Sequence, residues 1–341
     1  MSAPDSSLPP LIEVENLRVH FPVREGIFLK TRRFCKAVDG VNLRLRRGET
    51  VGLVGESGCG KTTTGKAIVR LVDLTSGSVR IDGHPVESLS RRALRPYRRR
   101  VQMVFQDPAE SLNPRESVGN ILEEPLLIHR WGNRLQRRHR VLELLDRVGL
   151  PGSSVDRFSF EFSGGQRQRI GIARALALQP AALICDEPVS ALDVSVQSQI
   201  LNLLLELQRD FSLGYLFISH DLAVVRHVSD FVAVMYLGKI VEMAPAAKLF
   251  ANPLHAYTRA LLSAIPTTTA KRRGPRILLQ GDVPSPIDPP PGCPFAYRTW
   301  LPCTPEQARQ SSRFMEVEPD HWVEVHPGTV ERWEEWLDAK S

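Results

Sequence analysis

The run GESGCGKTT, residues 55–63, combines glycines, one lysine and two hydroxyls in a spacing suited to phosphate. Gly55, Gly60, Lys61 and Thr62 satisfy G-x-x-x-x-G-K-[ST]. Glycines let the backbone curl so that several N–H groups point inward at phosphate oxygens, and a helix N-terminus behind the loop adds positive potential. Lys61 then reaches the outer phosphates and the Thr62 hydroxyl can ligate Mg²⁺. The whole set Gly55, Glu56, Ser57, Gly58, Cys59, Gly60, Lys61, Thr62 and Thr63 is a candidate binding loop for a nucleoside triphosphate. Cys59 stands where a small side chain suffices and has no redox role. A second candidate group closes AALICDEP, an apolar run ending in Asp186 and Glu187. Two acids at the end of a buried strand are costly unless their charge is compensated, and a metal-bound nucleotide supplies that compensation. Asp186 is expected to hold Mg²⁺ and Glu187 to polarise an attacking water. The third is Ser163-Gly164-Gly165-Gln166 ahead of a strongly helical run, another anion-binding corner. A second anion site on a domain with one nucleotide makes sense if it serves a nucleotide bound to another subunit.

These groups need strands and helices to place them. Residues 49–54 read as a short buried strand, and Ala67, Ile68, Leu71 and Val72 have helical spacing after the loop. Apolar runs at 101–105, 182–185, 215–218 and 231–236 are strand candidates, separated by amphipathic stretches such as 197–208. Alternation of this kind from about Leu11 to about Pro245 predicts an α/β core with parallel strands. GDVPSPIDPPPGCP then excludes regular helix or central strand. It marks an extended appendix that begins between Leu249 and Pro266, with Trp322, Trp333 and Trp336 as packing anchors near its end.

Composition sets outer bounds. The 341 residues, 42% hydrophobic and 24% charged, suffice for one large or two moderate domains. The net charge of +6 is mild. Its basic runs, Arg91 to Arg100, Arg134 to Arg140 and Lys271 to Arg273, read as solvated faces, because no aromatic residues interleave them as a single-strand groove requires. No apolar stretch approaches the roughly 20 residues that span a bilayer, and MSAPDSSLPP has no signal-peptide pattern. A cytoplasmic chain is expected, with any membrane role coming through partners. Five scattered cysteines form no secreted disulfide framework.

SGGQ, placed after the phosphate loop and before the strand ending in Asp-Glu, resembles the ATP-binding subunit of ABC transporters, and the remaining motifs follow that family's order. Gln106 in VFQDP resembles the Q-loop glutamine, Asp193 in SALD the D-loop, and His220 in FISHD the switch histidine. The resemblance implies an α/β P-loop NTPase fold over residues 11–265: a RecA-like core, a helical signature subdomain at about 107–178 and an N-terminal antiparallel β region. It also implies a head-to-tail dimer that sandwiches ATP between the P-loop of one domain and the SGGQ of the other. By resemblance, Gln106 contacts the metal or the attacking water, His220 stabilises the γ-phosphate end, and Phe21 stacks on adenine, with Phe28 and Phe34 as competitors.

Stretches such as FPVREGIF, MVFQDPAESLNPRESVGNILEEPL and LFANPLHAYTRALLSA are similar to the dipeptide and oligopeptide permease ATPases. That branch implies a second related ATPase as heterodimer partner, two transmembrane permease subunits and an extracytoplasmic peptide-binding protein. The chain would sit peripherally on the cytoplasmic face of the bacterial inner membrane, with no nucleic-acid partner. Nickel and glutathione importers share the cassette, and soluble ABC ATPases that act on nucleic acid are the alternative from another class. Residues 266–341 resemble the branch's C-terminal extension. Some members carry four cysteines for an iron–sulfur cluster there, whereas this chain has Cys293 and Cys303, with Val325 where another is often found. Two thiolates do not complete such a site, so no cluster is expected, and His321 and His326 read as surface histidines rather than zinc ligands.

Overall fold

The computed structural model describes residues 9–25, 30–107, 111–265 and 276–338. Its contacts gather into two units. One holds Met1–Glu13, Arg44–Thr50 and Val79–Ile218; the other holds Val14–Leu43, Val51–Ser78 and Ser219–Ser341. Phe28 and the basic run at 271–273 lie outside the described residues.

The first unit is built on parallel strands. Val101–Val104 pairs with Ala182–Asp186 from Val101↔Ala182 to Val104↔Cys185, and Ala182–Asp186 pairs with Gly214–Ser219 from Ala182↔Gly214 to Asp186↔Ile218. The middle strand, ALICD, is buried at every position. A strand buried on both faces has no wet side, so an unbroken apolar run replaces alternation. The connecting helix Val194–Phe211 buries Ile200, Leu201, Leu203, Leu204 and Leu207 at helical spacing. Gln208 Nε2 fastens its end, donating to Thr50 Oγ1 at 2.8 Å and to the Gly48 carbonyl at 3.2 Å.

Helices Val118–Ile128, Arg134–Arg147 and Gly164–Leu176 pack on one another in the same unit. The expectation of a solvated basic face fails at Arg140, which is buried. Its guanidinium donates to the carbonyls of Leu176 at 3.1 Å and Ala177 at 3.4 Å, at the negative end of the helix Gly164–Leu176, and it also pairs with Glu143 at 2.9 Å.

In the second unit, Val51–Val54 of the strand Thr50–Val54 runs parallel to Phe231–Tyr236 with Val51↔Phe231 and Val54↔Val234 in register. Leu237 and Gly238, both at positive φ, turn the chain into the antiparallel strand Lys239–Pro245. The proline-rich stretch carries neither α-helix nor strand, but the chain beyond it is more than an extended appendix. His321–Val325 pairs with Lys239–Pro245 and with Arg313–Glu318, so the chain's end adds a hairpin to this sheet. Trp333 and Trp336 pack against Val323, Val325 and Val330.

His321 and His326 are not surface histidines: both are buried. His321 Nε2 lies 2.8 Å from Glu242 Oε1, and that carboxylate also accepts the backbone N–H of Leu254 and His255. His326 Nε2 donates to the Gln307 carbonyl at 2.8 Å while its Nδ1 accepts the Gly328 N–H. Each imidazole satisfies a buried polar group, which is why a polar residue tolerates these positions. Among the described residues, no group of three or more His, Cys, Asp or Glu is arranged to hold a metal.

Candidate functional site

The phosphate loop follows the buried strand Thr50–Val54 and runs into the helix Lys61–Ile68. Gly58 at φ 80° and Gly60 at φ 110° give it a path that L side chains rarely follow. Lys61 is buried, and its ammonium folds back over the loop, donating to the Gly55 carbonyl at 2.8 Å and the Glu56 carbonyl at 2.9 Å. The positive charge is therefore held at the centre of the loop. Cys59 lies 3.8 Å from the same ammonium, yet burial raises its thiol pKa despite that neighbour, and a protonated thiol is a poor nucleophile. Thr64 Oγ1 donates to the Gly60 carbonyl at 3.0 Å, while Thr62 and Thr63 are half-buried in the first helical turn.

At the end of ALICD, Asp186 is buried and Glu187 begins the turn. Glu187 has φ 45°, unusual for a residue with a side chain, and its N–H donates to the Ile218 carbonyl at 2.9 Å. Gln106 Nε2 donates to Glu187 Oε2 at 3.0 Å. The glutamine read as the Q-loop residue and the glutamate read as the base thus meet directly, across 81 residues of sequence.

Ser163 caps the helix Gly164–Leu176: its hydroxyl accepts the Gln166 N–H at 3.3 Å, and Gln166 Oε1 accepts the Ser163 N–H at 3.0 Å. Gly165 is there for closeness, since a β-carbon on it would stand 2.4 Å from Val196 Cγ1. Asp193 is the N-cap of Val194–Phe211, its carbonyl accepting the Gln197 N–H at 2.8 Å. His220 is exposed just past Gly214–Ser219, followed by Asp221, which caps the next helix. Phe21 is 41% exposed on the strand Ile12–Glu25, so it is not a core residue; Phe34 is 49% exposed. Gln106, Asp186, Glu187, Asp193 and residues 163–166 belong to the first unit; Phe21, residues 55–63 and His220 belong to the second.

Sequence reasoning missed the supports of Glu56. Its N–H donates to Tyr257 Oη at 2.9 Å and its carboxylate accepts from Arg298 at 3.1 Å. No local pattern in AYTRALL or FAYRTW signals either contact.

The second unit carries a glycine-curved loop around a buried ammonium, and the first a buried strand ending in two acids with a glutamine bonded to the second; each set of groups suits a nucleoside-triphosphate-hydrolysing cassette. Two family models match, ABC transporter over residues 38–190 and the C-terminal region of oligopeptide/dipeptide transporters over residues 241–302. The oligopeptide transport ATP-binding protein AppF of Bacillus subtilis is 50% identical over 321 residues, 93% of this chain and 97% of that protein. The dipeptide transport ATP-binding protein DppF of Escherichia coli is 48% identical over 89% of this chain and 92% of its own length. Among solved structures, the dimeric post-hydrolysis state of an ATP-binding cassette bound to ADP and Pi matches with TM-score 0.61 and 29% identity, covering 69% of this chain and 98% of that one. A cassette of Clostridium perfringens, part of the ABC transporter complex cbiONQ, matches with TM-score 0.61 and 28% identity over 72% and 92% of the two chains. The chain belongs to the ATP-binding proteins of ABC transporters, in the branch that carries the oligopeptide/dipeptide C-terminal region. None of the described helices is long and apolar enough to cross a membrane.

Proposed function

We propose that this chain hydrolyses ATP to power import of di- or oligopeptides across the bacterial inner membrane. The observation that carries this reading is the extent of the match: relatives named for oligopeptide and dipeptide transport are about half identical along nearly the whole chain, and the C-terminal region matches as well as the cassette.

In this reading residues 11–265 form the ATP-binding domain, with the helical subdomain at about 107–178, and residues 266–341 the extension. Residues 55–63 hold the phosphates and Lys61 neutralises the outer ones. Thr62, Asp186 and Gln106 would hold Mg²⁺, which would shield the phosphate charge. Glu187 takes a proton from the attacking water, its carboxylate held in place by Gln106, and His220 steadies the γ-phosphate end. Phe21 stacks on adenine. Ser163, Gly164, Gly165, Gln166 and Asp193 serve the nucleotide held by a second, related ATPase. The partners are that ATPase, two transmembrane permeases and an extracytoplasmic peptide-binding protein, and the chain lies on the cytoplasmic face of the membrane.

The test is to tag the chain at native level, extract membranes gently and identify what copurifies. Recovery with a related ATPase and two multi-span proteins supports the importer, and the binding protein recovered with them separates peptide from nickel or glutathione cargo. Recovery from the soluble fraction with nucleic acid and no membrane protein refutes it.

A further inference from the structure

Glu56, the second residue of the phosphate loop, is held on three sides, and two of the holds come from far along the chain. Its carbonyl accepts Lys61 Nζ at 2.9 Å, its N–H donates to Tyr257 Oη at 2.9 Å, and its carboxylate pairs with Arg298 at 3.1 Å. Arg298 is 242 residues away, within the segment matched by the oligopeptide/dipeptide C-terminal model.

The Arg298 side chain is buried. It is 8% exposed, against 33% for Glu56. The Arg298 backbone is held as well: its N–H donates to the Phe295 carbonyl at 2.8 Å, and its carbonyl accepts the Gln280 N–H at 3.1 Å. The guanidinium stands 5.9 Å over the Tyr236 ring. Phe295, fully buried, meets Tyr236 edge-on at 5.5 Å and Tyr257 at 5.7 Å. Phe295, Arg298 and Tyr257 therefore form one packed block whose polar tips converge on Glu56.

A carboxylate in a loop that must hold a polyanion is an electrostatic liability. Unpaired, it would repel phosphate and be free to swing, taking with it the carbonyl that locates Lys61. We propose that Arg298 of the C-terminal extension is a positioning residue for ATP: by neutralising and fixing Glu56, it keeps the loop's backbone and Lys61 in the phosphate-binding arrangement. This rests on residues 55–63 being the ATP loop. It makes the extension part of the nucleotide site, and it gives this branch a route by which movement of the extension alters nucleotide affinity.

The test is a double-mutant cycle on the purified full-length chain, with ATP affinity measured calorimetrically and the thermal midpoint recorded for each variant. Removing one partner of a largely buried ion pair is costly, though Glu56 keeps some solvent contact. Arg298→Gln is expected to weaken ATP binding about ten-fold, whereas in a Glu56→Gln background the same change should weaken it about two-fold or less. Arg298→Lys restores the charge and should recover part of the loss; it also stands in if Arg298→Gln does not fold. A general structural defect would weaken binding equally in both backgrounds and would overturn the proposal, as would Arg298→Gln binding ATP like the wild type. Failure of the wild-type chain itself to bind ATP would instead remove the assignment of the loop.

Discussion

Replacing Gly60 with alanine asks whether the loop's backbone path, and not only its charge, sets phosphate binding. Gly60 has φ 110°, and a β-carbon on it would stand 2.1 Å from the Ala37 carbonyl oxygen and 2.8 Å from Met235 Cε. Gly58 is the internal control: its φ is 80°, but a β-carbon there meets nothing within 4 Å. Both substitutions carry a backbone cost of about 1–2 kcal/mol. Only Gly60→Ala adds a collision with backbone. Against an ordinary contact of about 3.5 Å, that collision demands a shift of about 1 Å, and a misplacement of that size costs about 100-fold in a site built for an oriented ligand. Gly58→Ala should therefore weaken ATP binding about ten-fold or less, and Gly60→Ala about 100-fold or more. Equilibrium titration with a fluorescent ATP analogue, accompanied by thermal midpoints, reads both. Equal losses, or wild-type affinity in Gly60→Ala, would refute the steric reasoning.

Lys61→Ala should abolish measurable ATP binding, while Glu187→Gln should bind ATP normally and lose about 100-fold or more in turnover; equal loss of binding in both would show that the two roles are not separate. Gln106→Ala removes the hydrogen bond that orients the Glu187 carboxylate, so hydrolysis by the assembled transporter at saturating ATP should fall about ten-fold, and an unchanged rate would sever the link between these residues. Acidification should destabilise the C-terminal region. Burial raises the Glu324 carboxyl, but its contacts with His255 and Ser312 outweigh this and leave it below the usual range. Burial lowers His326. Both folded values are depressed, so their stabilisation is present above the unfolded values, about 6.5 for His and 4.3 for Glu, and is lost as pH falls through the folded ones. The thermal midpoint should drop as pH falls below about 6.5, less steeply in Glu324→Gln; a drop of the same steepness would exclude this carboxylate.

Legibility followed locality. The loop at 55–63 could be read because its chemistry lies within one strand, one turn and one helix, and the strand candidate at 231–236 agrees with Phe231–Tyr236 because buried parallel strands are continuous apolar runs. Gln106 and Glu187 were readable as separate motifs, but their hydrogen bond was not, since strand pairing rather than sequence distance joins them. The C-terminal hairpin escaped because RFMEVE and HWVEV are short and half polar, and the prolines before them suggested that regular structure had ended. His321 and His326 were misjudged for a related reason: a histidine is polar by composition, and only the fold shows that Glu242 and the Gln307 carbonyl wait for it inside. Arg298 carried no signal, because its meaning lies in a carboxylate at the opposite end of the chain.

The most direct test of the central claim is uptake of a radiolabelled oligopeptide by cells whose only copy of this chain carries Glu187→Gln, with membrane-bound amounts of the chain and its permeases checked in the same cells. The account predicts that the complex assembles at normal levels while uptake falls to background. Uptake at the wild-type rate would contradict it.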